Sequence, residues 1–551
     1  MKRNVNISIL GDSSTQFYSK YLKEALEKEN LSIKIYEGDF GNIDHELIDK
    51  DSLFHDSKPD IVIFYNSYQS LYKEFLAYPQ NKRAIFFEEI ITRFERRIAT
   101  LDKNMIIFNF PQISERILGN NDNKYKYSFL YQIRKINQEL VELSIRHDKL
   151  DILDVELLSS EHGYEKAFDK RFYYSFNQVF SKDFISVLAD YTASIILAKE
   201  GRVLKLIITD LDNTLWGGIV GEDGIKNIHI GELGVGHIFS DIQKFLKQLL
   251  STGVLLAVVS KNDEKIAQDA FLKHPDMPLS LEDFILFKAN WEPKSSNILE
   301  ILNQLNIRSK NVMFLDDSIR EREEVRENIE DIFIPELPED AAYYLDTIKR
   351  SLITQREVPT IEDSQRTKMY KQRKNRENNS KKYTNIEEFL KHLDMKAKVY
   401  EKDEFMIPRI SQLTQRTNQF NLRTKRYTSS DIKGFYESKS HKVFAYSLQD
   451  RFGENGTVGV LIVEDDGQGT WFIDTFLLSC RVFKKTFEHF MINDLVLKAE
   501  KAGIKNIIGE FIDSGRNAYV KDLYSNLGFK KDKNIWKLSV KDWKPISTFV
   551  S

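Results

Sequence analysis

Leu206-Ile207-Ile208-Thr209-Asp210-Leu211-Asp212-Asn213-Thr214 decides how the middle of this chain is read. The run Val203–Thr209 is almost wholly apolar, as expected of a strand covered on both faces of a parallel sheet. It stops at two carboxylates two positions apart. Open α/β sheets hold their ligands outside the carboxyl ends of their strands, so Asp210 and Asp212 stand where chemistry is done. Outward from there the pattern alternates: a helix at Ile238–Leu250, a strand at Val254–Val259, a helix near Asp263–Leu272, a strand near Phe284–Phe287, a helix at Ile298–Leu305 and a strand at Val312–Leu315. Ser260, Lys294 and the pair Asp316-Asp317 are expected at the ends of the later strands.

These residue types form a set. An ionised aspartate can attack phosphorus, and a second can shuttle a proton on the leaving oxygen. A hydroxyl such as Ser260 can bind a phosphoryl oxygen, Lys294 brings a fixed positive charge, and Asp316 and Asp317 add carboxylates for a hard cation, Mg²⁺ being suited to an all-oxygen site. Ser260 and Lys294 are the expected phosphoryl-binding residues, and Asp316 and Asp317 the expected metal carboxylates. Only 33 residues separate Ser260 from Lys294, so no large cap domain fits there. The short segment Trp216–Gly224 is the candidate flap, and an open mouth of this kind admits a substrate tethered to a protein.

On the amino-terminal side, Val5–Leu10 reads as a strand that breaks at Gly11-Asp12-Ser13-Ser14, followed by Phe17, Tyr18, Leu22, Ala25 and Leu26 at helical spacing. Further strands are expected at Ile61–Tyr65, Ala84–Phe87 and Met105–Phe108, with a helix at Tyr127–His147. On the carboxyl-terminal side a basic stretch, Arg366, Lys368, Lys371, Arg373, Lys374, Arg376, Lys381 and Lys382, reads as a linker or exposed helix with a solvated face. Beyond it the pattern gives a helix at Ile410–Phe420, strands at Val443–Ser447, Val458–Glu464 and Trp471–Phe476, a helix at Thr486–Ala502, a strand at Ile507–Phe511 and a helix at Ala518–Leu527. The expected architecture is three α/β domains, 1–200, 201–350 and 385–551, with a charged linker at 351–384.

Composition bounds the partners. The chain has 551 residues, 41% hydrophobic and 30% charged; 80 basic residues against 83 acidic ones give a net charge of −3. That balance does not advertise nucleic acid or an anionic membrane. No run approaches the roughly 18 apolar residues a membrane helix needs, and the start, Met1-Lys2-Arg3-Asn4-Val5-Asn6-Ile7, lacks an apolar export core. With Cys480 as the one cysteine no intrachain disulfide forms, and the cytoplasm is the expected compartment.

The central set resembles the haloacid dehalogenase (HAD) phosphatase superfamily, and Asp210–Gly224 is similar to its FkbH-like branch. Ser260-Lys261-Asn262-Asp263, His274-Pro275-Asp276-Met277, Asn290-Trp291-Glu292-Pro293-Lys294, Leu315-Asp316-Asp317 and Pro335-Glu336-Leu337-Pro338 carry the same resemblance. One loop departs from it: the family's Asp-Asp-Asn-Pro reads Asp316-Asp317-Ser318-Ile319 here. The resemblance implies Asp210 as nucleophile and metal ligand, Asp212 as general acid/base with its carbonyl on Mg²⁺, Thr214, Ser260, Lys261 and Lys294 at the phosphoryl group, and Asp316 and Asp317 completing the metal shell.

Gly11-Asp12-Ser13 resembles the opening block of SGNH hydrolases. That implies Ser13 as nucleophile and Asn66 as an oxyanion donor on a flavodoxin-type sheet, although the Asp-x-x-His pair has no clear counterpart around Ala167–Asp183, so a degenerate domain used for binding or assembly is expected. The last domain resembles an N-acetyltransferase-like (GNAT) fold through Gln412–Leu422, Asp450–Gly456 and Asp474–Arg481. Its turn Val482-Phe483-Lys484-Lys485-Thr486 has no glycine to let backbone amides approach a pyrophosphate, which favours a phosphopantetheine arm over free acetyl-CoA. Cys480, flanked by Arg481 and expected at a helix start, is either a small buried hydrophobe or a thiolate nucleophile. Gln415, Asn418, Asn421 and Arg481 are the expected acyl- or pantetheine-binding residues.

Taken with the family, these readings imply transfer of a glyceryl unit from 1,3-bisphosphoglycerate through Cys480 to an acyl carrier protein, with dephosphorylation at Asp210. A plain Mg²⁺ phosphatase acting on another small phosphorylated metabolite and a catalytically vestigial scaffold are the alternatives.

Overall fold

A computed structural model describes residues 3–29, 31–351, 355, 359–380, 383 and 385–551. They form two compact units, Met1–Arg202 and Val203–Ser551. The fold class is α/β throughout. In the first unit, β1 (Arg3–Gly11), β2 (Leu31–Glu37), β3 (Ile61–Tyr65), β4 (Asn104–Phe108) and β5 (Leu150–Leu153) make a parallel sheet in the order β2-β1-β3-β4-β5. The two-residue side-chain period splits each strand between two cores: Ile61, Ile63 and Tyr65 pack with one set of helices, Val62 and Phe64 with the other. The strand expected at Ala84–Phe87 is instead a 3₁₀ turn, Gln80–Ile85, leading into the helix Phe86–Ala99. Phe86, Ile90, Phe94 and Ile98 are its buried stripe, so the local apolar run is the first turn of a helical period.

The second unit opens with a four-stranded parallel sheet in the order β8-β7-β6-β9, built from β6 (Leu206–Thr209), β7 (Leu255–Ser260), β8 (Phe284–Ala289) and β9 (Val312–Leu315). All four residues of β6 are buried, as the continuous apolar run requires. A mixed seven-stranded sheet follows, made of β10 (Lys396–Glu401), β11 (His441–Asp450), β12 (Gly453–Asp465), β13 (Thr470–Leu478), β14 (Asn506–Glu510), β15 (Lys530–Asp532) and β16 (Ile535–Ser539). Its order is β10-β11-β12-β13-β14-β16-β15, and within it β13 and β14 are the parallel neighbours.

Two corrections concern this unit. The helix expected at Ile410–Phe420 is Ile407–Arg416, and Ser411, Gln412, Leu413 and Thr414 are buried in it. The chain then runs extended into the gap where β13 and β14 part: Leu478 N donates to Phe420 O, Leu422 N to Phe476 O and Ile512 N to Leu422 O, at 3.0, 3.2 and 2.9 Å. The helix expected at Ala518–Leu527 is two short turns, Ala518–Val520 and Leu523–Asn526.

Of the expected linker or exposed helix, Arg366–Ser380 is the helix, and what is corrected is its wholly solvated face, since Met369 and Arg376 are buried. Arg376 is buried, its Nε donating to Asp450 Oδ2 and Oδ1 at 2.7 and 2.9 Å and its Nη2 to Gly453 O at 3.0 Å. Lys381 and Lys382 lie outside the described residues, as do the side chains of Arg373 and Lys374. A buried guanidinium is tolerated only with its counter-charge, and removing one partner strands the other. Arg376→Met is therefore expected to cost about 3–5 kcal/mol of stability, read as a lowered urea midpoint; a change below 1 kcal/mol would mean that water reaches Asp450.

Candidate active site

The phosphatase residues meet at the carboxyl edge of the β6–β9 sheet. Asp210 directly follows β6, Ser260 ends β7 and Asp316 directly follows β9. Lys294 is not at a strand end as expected; it is the first residue of the helix Lys294–Leu305, whose start directs it under the site. It is 3% exposed, with Nζ 2.5 Å from Asp316 Oδ2 and 3.2 Å from Asp210 Oδ1. Oxygens of Asp210, Asp316 and Asp317 lie within 4.8 Å of one another.

The loop after β6 folds back through Asn213, which takes a left-handed conformation (φ 53°) that asparagine tolerates better than most residues. Its Oδ1 accepts from Gly218 N at 2.9 Å. Thr214 Oγ1 is thereby brought to accept from Asp317 N at 3.2 Å and to lie 3.4 Å from Asp317 Oδ1. Thr214 thus anchors a metal-site carboxylate, in addition to its expected place near phosphate. Asp212 turns toward the flap. Its Oδ1 accepts from Trp216 Nε1 at 2.8 Å and Val220 N at 2.9 Å, and its Oδ2 from Asn262 Nδ2 at 2.8 Å. The expected flap is a short helix, Val220–Asp223, so the proposed proton donor and the flap are directly connected.

Burial and charge oppose each other here. Burial, then the neighbouring Asp210 charge, raises Asp316 to about 7 despite Lys294, and the same two causes raise Asp317. Burial pulls the Lys294 ammonium down, but Asp210 and Asp316 outweigh it and hold its pKa above the ordinary value. One lysine cannot neutralise three close carboxylates. Their hard oxygen donors and surplus negative charge fit a divalent cation of the Mg²⁺ class.

Several supporting residues were not singled out from sequence. Asn262 also donates to Ser260 Oγ at 3.1 Å, linking the two strand ends; its place two residues past a strand end was the available signal. Buried Arg322 donates from Nη1 to the carbonyls of Asp316 and Asp317, both at 2.8 Å, fixing that loop. It sits in a strongly charged helix, where nothing distinguishes it from solvated neighbours. Lys261, expected on phosphate, pairs instead with Glu321 at 2.7 Å.

The third-domain residues come together only in part. Cys480 is exposed, which removes the reading of it as a buried hydrophobe. It begins the 3₁₀ turn Cys480–Val482, and the following helix starts later, at Phe487; the expected full helix start at Cys480 is absent. Arg481 turns inward, donating to Asn455 O at 2.7 Å and lying 3.8 Å from Glu362 Oε2. Gln415 Nε2 donates to Tyr427 O at 3.2 Å. Buried Asn421 is spent on its own turn, with Oδ1 accepting from Thr424 N at 2.9 Å, while Asn418 is half-buried.

In the first unit, buried Ser13 has no histidine hydrogen-bonded to its Oγ among the described residues, and Asn66 Nδ2 is directed to Phe108 O at 3.3 Å. His162 packs against Phe184 instead.

The strand-edge aspartates, buried lysine and three-carboxylate centre define a phosphatase site of the HAD type. Comparison with known proteins agrees. The family model "FkbH, N-terminal domain" matches residues 6–197. The crystal structure of the N-terminal part of the protein BF1531 from Bacteroides fragilis, containing a phosphatase domain complexed with Mg, is 31% identical, covers 64% of this chain and 95% of its own, and superposes with a TM-score of 0.63. The ribosomal-protein-S18-alanine N-acetyltransferase from Escherichia coli is 14% identical over 26% of this chain and 94% of its own, with a TM-score of 0.22. No curated protein matches. This chain belongs to the FkbH-like family of HAD-type phosphatase proteins. Among the described residues, no helix is long and apolar enough to cross a membrane.

Proposed function

We propose that this protein is a bifunctional glyceryl transferase and Mg²⁺-dependent phosphatase: it takes an acyl phosphate of the 1,3-bisphosphoglycerate type, carries the acyl group on Cys480 and delivers it to the phosphopantetheine thiol of an acyl carrier protein. The observation that carries the phosphatase half is the Asp210–Lys294–Asp316 cluster. Asp210 attacks phosphorus, the P–O bond to the substrate breaks, and Asp212 protonates the departing alkoxide; water then releases phosphate from Asp210. Ser260 and Lys294 hold the phosphoryl oxygens. Asp210, Asp316 and Asp317 would hold Mg²⁺, whose charge offsets the repulsion between phosphate dianion and carboxylates.

The exposure of Cys480 supports the transfer half, since a thiol that accepts an acyl group must be reachable. Loading forms the C–S bond and expels phosphate from the acyl carbon. The first unit is proposed as a binding or assembly module with a degenerate hydrolase fold, in keeping with a Ser13 whose Oγ has no histidine beside it among the described residues. Incubation with Mg²⁺ and 1,3-bisphosphoglycerate generated in situ, followed by intact mass measurement, tests the reading. An acyl adduct that is lost in Cys480→Ala is expected. Absence of any adduct, with phosphate still released from simple esters, would leave a stand-alone phosphatase of small metabolites.

A further inference from the structure

The first unit holds a cavity that neither proposed reaction uses. In its sheet β1 lies between β2 and β3. The helix leaving β1, Gln16–Glu27, buries Tyr18, Leu22 and Leu26 in one core, and the helix leading to β4, Phe86–Ala99, buries Ile90, Phe94 and Ile98 in the other. The connections part to opposite faces between β1 and β3, and a crevice opens at the carboxyl ends of that strand pair. A cavity of about 200 Å³ lies there, reached by Asp12 after β1, Asp44 beyond β2, Asn66 after β3 and Phe110 after β4. Ile7 and Ile9 of β1 face the first core and Leu10 the second, so the alternation directs Asp12 to the second. Leu71, Ile90, Phe94 and Phe110 of that second core wall the cavity, and Ser13 is not among its lining residues.

Asp12 is its unmatched charge. Arg97 carries Asp44, with Nε on Oδ1 at 2.7 Å and Nη2 on Oδ2 at 2.9 Å, and Arg93 carries Glu74, with Nη1 on Oε2 at 3.0 Å. Asp12 Oδ2 accepts from Ser67 N at 3.0 Å, while its buried Oδ1 accepts from no group among the described residues. Three carboxylates against two guanidiniums leave the cavity one negative charge in surplus. Burial raises Asp12 to about 6, although its bonds to Ser67 and the charge of Arg97 pull it down. A buried carboxylate without a counter-charge destabilises the fold that holds it. An anion would be repelled by Asp12, and an alcohol would bring a donor without a charge. A cation brings both.

We infer that this cavity binds a small primary ammonium compound on a short carbon chain, its ammonium donating to Asp12 and its chain lying against Leu71, Ile90, Phe94 and Phe110. The apolar wall suits the chain and excludes a fully hydrated ion, and the volume limits the ligand to a small molecule. Arg93 and Arg97 are each held by their own carboxylate, which leaves Asp12 as the group that the ligand neutralises. The inference goes beyond the proposed function and does not depend on it, since neither Cys480 nor Asp210 takes part.

Ligand-observed NMR titration of the full-length protein in Mg²⁺, with n-butylammonium, 1-butanol and butyrate as probes, tests this. Butylammonium should bind at pH 8, and 1-butanol and butyrate about tenfold more weakly or less. Asp12→Asn keeps the volume and an acceptor for Ser67 N; it should bring butylammonium down to the level of 1-butanol, with a urea midpoint no lower than that of wild type. A second arm needs no variant. Asp12, faced by Ser67 and Tyr65 at the end of β3 and by Arg97, takes up its proton near pH 6, so wild-type binding of butylammonium should weaken about tenfold from pH 8 to pH 5. Absence of butylammonium binding, equal affinity for 1-butanol, binding that survives Asp12→Asn, or binding that does not weaken at pH 5 would each overturn the inference.

Discussion

Asp210→Asn protein should release phosphate from phosphomonoesters about four orders of magnitude more slowly than wild type, since it loses the proposed nucleophile. The asparagine keeps the volume and leaves Lys294 paired with Asp316, so the fold should stand. Asp212→Asn separates the roles. Asp212 accepts from Trp216, Val220 and Asn262, and its proposed task is to supply a proton to the leaving oxygen, a contribution of about 100- to 10,000-fold. That loss should be large for an alkyl phosphate and small for p-nitrophenyl phosphate, whose leaving oxygen needs no proton. The two variants assayed on the two esters give four rates. Equal losses on both esters for Asp212→Asn would mean that it only holds the flap.

The phosphatase site was legible because its residues obey a positional rule. An almost wholly apolar β6 must be buried, its end must meet the sheet edge, and the acids at that edge need a reason to be there. Asp210, Ser260 and Asp316 follow from that alone. Lys294 stood in the right place for a different reason, since it opens a helix, and the apolar spacing at Ile298–Leu305 gave no warning that the helix begins four residues earlier. The harder cases are side chains whose partners come from distant segments. Arg376 looks like any basic residue in a charged stretch until Asp450, 74 positions away, is brought beneath it. Phe420–Leu422 fills the gap between β13 and β14 because those strands stop pairing after Ile473 and Gly509, a divergence no periodicity records. Apolar runs of about one helical turn mislead as well: Ala84–Phe87 is strand-like in isolation and helical only with Ile90, Phe94 and Ile98 in view.

Lys294→Met should cut phosphate release by about three orders of magnitude and should also change how stability depends on pH. In the metal-free protein, burial and the Asp210 charge raise Asp316 from an unfolded value of 3.8 to about 7. A carboxyl with a raised native pKa binds its proton more tightly folded than unfolded. Between about pH 4 and pH 7 its contribution to stability therefore falls as pH rises. In wild type Lys294 opposes that loss. Without the ammonium, the buried carboxylates face each other unpaired at pH 8, where the substitution is expected to cost about 3–5 kcal/mol. At pH 5, where Asp316 can take up a proton, the cost should be smaller. Urea unfolding of both proteins at the two pH values, in EDTA and again with Mg²⁺, checks this. In EDTA the difference between the proteins should widen from pH 5 to pH 8, and Mg²⁺ should narrow it. A pH-independent difference that Mg²⁺ leaves unchanged would mean that Lys294 serves only to fill space beneath the site.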